Sequence, residues 1–70
     1  MSSYSIANEA FRLTCEHMQC LKPSLQPGTI SWLINICQSG IPPITHTGRE
    51  VWETYITFEA KLRDDLANSS

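Results

Sequence analysis

Apolar residues recur with helical spacing in three stretches of the chain, and proline-bearing segments separate them. In the first, "SIANEAFRLTCEHMQCL" from Ser5 to Leu21, about 100° of rotation per residue brings Asn8, Glu9, Arg12, Glu16 and Gln19 to one side. The opposite face holds Ile6, Ala7, Ala10, Phe11, Leu13, Cys15, Met18, Cys20 and Leu21, more than one neighbouring helix can cover. Ser5 suits the N-cap, and Arg12 can reach both Glu9 and Glu16 along the helix surface.

"LKPSLQPG" breaks this pattern, because proline and glycine are costly inside a helix. A second helix should begin near Pro27, whose missing N–H would have no partner in a first turn anyway. It carries Ile30, Trp32, Leu33, Ile34, Ile36 and Cys37 with a narrow polar stripe of Ser31, Asn35 and Gln38, which predicts burial almost all round. Gly40 is placed to end it with a left-handed residue.

"IPPITH" should be extended, since each proline restricts the residue before it. In "THTGREVWETYITFEAKL", Thr47 and Glu50 have the spacing of a capping box. Beyond them Val51, Tyr55, Phe58, Leu62 and Leu66 fall within an arc of about 80°. Trp52 and Ile56 widen that face on one flank, and Glu59 can pair with Arg63. The run from Val51 to Phe58 is rich in strand-preferring types, so a strand competes here. Five apolar residues in helical register outweigh that weak preference. The fold expected is all-α: one compact three-helix domain over residues 1–70, with helices near 5–21, 28–39 and 48–67 and frayed ends near 1–4 and 68–70. The alternative is a winged helix-turn-helix with a small wing at 44–56.

Length sharpens the energetic problem. A chain of 70 residues buries only about 60% of the surface its unfolded form exposes, so its margin of stability is thin. Three cysteines, Cys15, Cys20 and Cys37, are an odd number and argue against a disulfide framework. "MSSYSIANEAF" does not resemble a secretory signal, and no run approaches the roughly 18 apolar residues of a membrane span. A reducing, cytoplasmic setting without membrane contact is expected. The net charge of −2 offers no broad attraction to phosphate backbones.

Little in the sequence points to chemistry. "CEHMQC" has zinc-ligand residue types, with Cys37 and His46 as further candidates, but on a helix Cys15 and Cys20 point roughly 160° apart and cannot converge on one ion. His17 and Cys20 share a side of the helix, but no Cys–His pairing is dictated by the sequence, nothing fixes a Ser, His and Asp geometry, and Asp64 and Asp65 point apart near a helix end. The expectation is a non-enzymatic protein with no metal and no cofactor. The surplus of apolar surface instead predicts an interface. Trp52 and Ile56, with Tyr55 and Trp32, are the candidate anchors for a protein partner or for a second copy in a homodimer.

The order "YSIANEAFRLT", "TISWLINICQSGIPP", "HTGREVWETYITFEAKLRDDL" resembles excisionase and MerR-type winged-helix proteins over most of the chain. That resemblance implies DNA binding, with Thr29, Ser31 and Asn35, together with Gln38, reading the major groove from the second helix. It would make His46, Thr47 and Arg49 wing contacts to the backbone. The second helix has no Arg or Lys, so the leading expectation remains a small regulator, adaptor or inhibitor that docks an apolar helix face on a protein.

Overall fold

Ser5 stands in extended geometry, and its hydroxyl accepts the Asn8 N–H at 3.2 Å, satisfying a first-turn donor that has no partner in the helix. That cap opens α1, Ile6–Leu21, the first of three helices in a computed structural model that describes residues 5–69. α2 runs Pro27–Gln38 with proline in its first turn, and α3 runs His46–Asn68. These bounds lie within two residues of those read from periodicity. The fold is all-α, and no strand occurs among the described residues. Expected fraying at 1–4 and 70 lies outside the described residues, while Asn68 closes α3 and Ser69 caps it.

α3 starts earlier than expected because Thr45, not Thr47, is its N-cap. The Thr45 hydroxyl accepts the Gly48 N–H at 2.9 Å. Thr47 therefore sits inside the first turn, and the capping box with Glu50 does not form. Glu50 instead meets Lys22 at 3.0 Å, tying the start of α3 to the residue that ends α1. The wing considered for 44–56 is likewise replaced, since helix is continuous from His46. Two of the strand-preferring residues are accommodated by bonding back along the helix: Thr54 donates to the Glu50 carbonyl and Thr57 to that of Glu53, each at 2.8 Å.

The core is built where the three apolar faces meet. Ala10 and Met18 from α1, Ile30 and Ile34 from α2, and Val51 and Tyr55 from α3 are its buried hydrophobics. Thr14 is buried among them and donates its hydroxyl to the Ala10 carbonyl at 2.7 Å, so its own polar group is satisfied inside. Phe11, Cys15, Leu25, Leu33, Trp52, Phe58 and Leu62 pack around this centre. α1 lies most extensively along α3, with α2 across both.

The α2–α3 connection is set by a helix-ending motif. Gly40, at φ +99°, donates to the Cys37 carbonyl at 3.0 Å, and Ile41 donates to the Ile36 carbonyl at 3.2 Å. This pair of bonds is the Schellman arrangement, in which glycine takes the left-handed position without a Cβ penalty. It also brings Ile41 back beside Ile36.

Candidate functional site

Three surfaces could carry function, and each is fixed by a different local cause. On α3, Trp52 is half-buried and stacks on Tyr55 with ring centroids 5.3 Å apart and planes inclined by 14°. Tyr55 itself is a core residue at 2% exposure, so of the four expected anchors it is the one that lies inside. Its hydroxyl accepts from Gln38 at 2.9 Å and donates to Glu59 at 3.3 Å, and Arg63 reaches the same carboxylate at 3.5 Å. Burial raises the Tyr55 phenol above its ordinary range, opposed by the Gln38 hydrogen bond and reinforced by the Glu59 charge. Ile56, one turn beyond Trp52, is exposed.

The second surface is the outer face of α2. Buried Ile30, Ile34 and Cys37 define its inner side. Trp32 follows Ile30 by two residues, hence by about 200°, and points away from the core. It is 60% exposed, which corrects the expectation that α2 is buried almost all round. The cause is geometric: α1 and α3 both lie on the Ile30–Ile34 side, and no third neighbour among the described residues covers the other. Ile36, one turn on, is half-buried, and Ile41 beside it is 55% exposed. Further along the connection Ile44 is 91% exposed.

Periodicity missed Ile41 and Ile44 because they lie in an extended link. A signal for them was present in charge distribution: every Asp, Glu, Lys and Arg falls before Pro23 or after Gly48, leaving residues 23–48 without a formal charge. The residues cast as DNA readers share this segment. Thr29 and Asn35 are exposed, but Ser31 is half-buried on the side of α2 that faces Cys15. Arg49 is exposed in the first turn of α3, as is His46, with Thr47 half-buried between them and Gly48.

The third surface is an open groove of about 300 Å³ between α1 and α3, lined by His17, Glu50, Glu53, Thr54, Thr57 and Phe58. His17 meets the Phe58 ring edge-on at 5.9 Å. Both threonine hydroxyl protons are already donated to backbone carbonyls, so the wall offers acceptors and an aromatic face rather than a nucleophile. Among the described residues no group of three or more His, Cys, Asp or Glu could hold a metal. The thiols do not converge: Cys20 is exposed, while burial raises the Cys15 and Cys37 thiols and makes both poorer nucleophiles. No described helix is long and apolar enough to cross a membrane.

Neither a family model nor a curated protein nor a solved structure matches this chain.

Proposed function

We infer that the protein is a non-enzymatic interaction module, a small regulator, adaptor or inhibitor that works by docking an apolar helix face on another polypeptide. The observation that carries this reading is the outer face of α2, where Trp32 stands 60% exposed in a 26-residue stretch that bears no formal charge. Interface centres are depleted in charge and enriched in tryptophan, which couples large apolar area to few rotatable bonds. Trp52 and Ile56 supply a second, flanking contact, held rigid by the stack on Tyr55. Three unpaired thiols suit a reducing, cytoplasmic setting.

The test compares polypeptides retained by the wild-type chain with those retained by Trp32→Ser, with circular dichroism confirming that both are folded. Retention of a defined polypeptide by the wild type, lost in the variant, is the expected result. Identical retention by the two proteins would overturn the assignment to α2. The DNA-binding reading needs a backbone-contacting wing, and the segment that would supply it is helical.

A further inference from the structure

We draw no further inference here: the strongest candidate, the open groove between α1 and α3 lined by His17, Glu50, Glu53 and Phe58, has one of its two carboxylates already met by Lys22, and nothing in the structure shows what would occupy it.

Discussion

Replacing Gly48 with alanine tests how α3 begins, because two effects of similar size oppose each other there. In a helix interior the substitution ordinarily stabilises by about 1 kcal/mol, through reduced backbone freedom in the unfolded chain. At Gly48 the added Cβ would lie 2.9 Å from the Thr45 hydroxyl oxygen, too close for both to stay. Leu33 and Pro43 stand at 3.5 and 3.6 Å, ordinary contact distances, so the hydroxyl is what must move. Moving it breaks the N-cap bond to the Gly48 N–H, a loss of about 1 kcal/mol and up to about 2. The net change for Gly48→Ala is therefore from near zero to about 1 kcal/mol destabilising. The sharper prediction is the coupling. Thr45→Ala should cost about 1 kcal/mol with glycine at 48 and almost nothing with alanine there, and Gly48→Ala should become stabilising once Thr45 is alanine. Urea unfolding followed by far-ultraviolet circular dichroism on the four proteins of the cycle measures this. Additive effects, with Gly48→Ala stabilising by about 1 kcal/mol in the wild-type background, would show that Thr45 is not the cap.

Other perturbations separate inside from outside. Ile34→Ala, at a fully buried position, should cost about 2–5 kcal/mol and leave so small a domain largely unfolded, whereas Trp32→Ala should change monomer stability by less than about 0.5 kcal/mol; equal losses would invert the proposed orientation of α2. Tyr55→Phe should cost about 1 kcal/mol near neutral pH, since Gln38 and Glu59 can turn to water. Because the folded phenol is raised above its unfolded value of about 10, its contribution is present below that value and lost as pH rises through the folded one. The phenylalanine variant should flatten that alkaline decline, and an unchanged profile would refute the link to Tyr55. Cys20 should react with a thiol reagent in the native state well before Cys15 and Cys37, whose modification should await opening of the fold; simultaneous reaction of all three would contradict the packing.

The helices were legible because their signals are local. Ser5 sits three residues before an amide it can cap, and the Arg12 pairs with Glu9 and Glu16 need only helix geometry. The Thr45 cap was not legible, because spacing favours Thr47, which has Glu50 three residues on where Thr45 has Gly48. What separates them is tertiary: Lys22, brought from α1, takes Glu50 and leaves Thr47 without its capping-box partner. Among the expected anchors, Trp32, Trp52 and Ile56 reach the surface to different degrees, while Tyr55 belongs to the core. A helical wheel shows that a face is apolar but not whether another helix arrives to cover it. α2 is the clearest instance, with Trp32 on the side that neither α1 nor α3 covers.

That one-sidedness distinguishes α2 from the other helices. A three-helix arrangement leaves one face of every helix outside, and α1 and α3 furnish theirs with ions: Arg12 and Glu16 on the first, Glu53, Lys61 and Asp64 on the third are exposed. α2 presents Gly28 and Trp32 instead, without one charge along its length. Moving Trp32 inward is not open to the chain, because rotating α2 by half a turn would expose Ile30 and Ile34, which the core needs. Contact with another molecule would remove Trp32 from water without that loss. Such contact also acts on folding: whatever binds the folded chain and not the unfolded one stabilises it by mass action. For a domain of this size, whose own core leaves a thin margin, covering α2 would serve stability and recognition through the same residues.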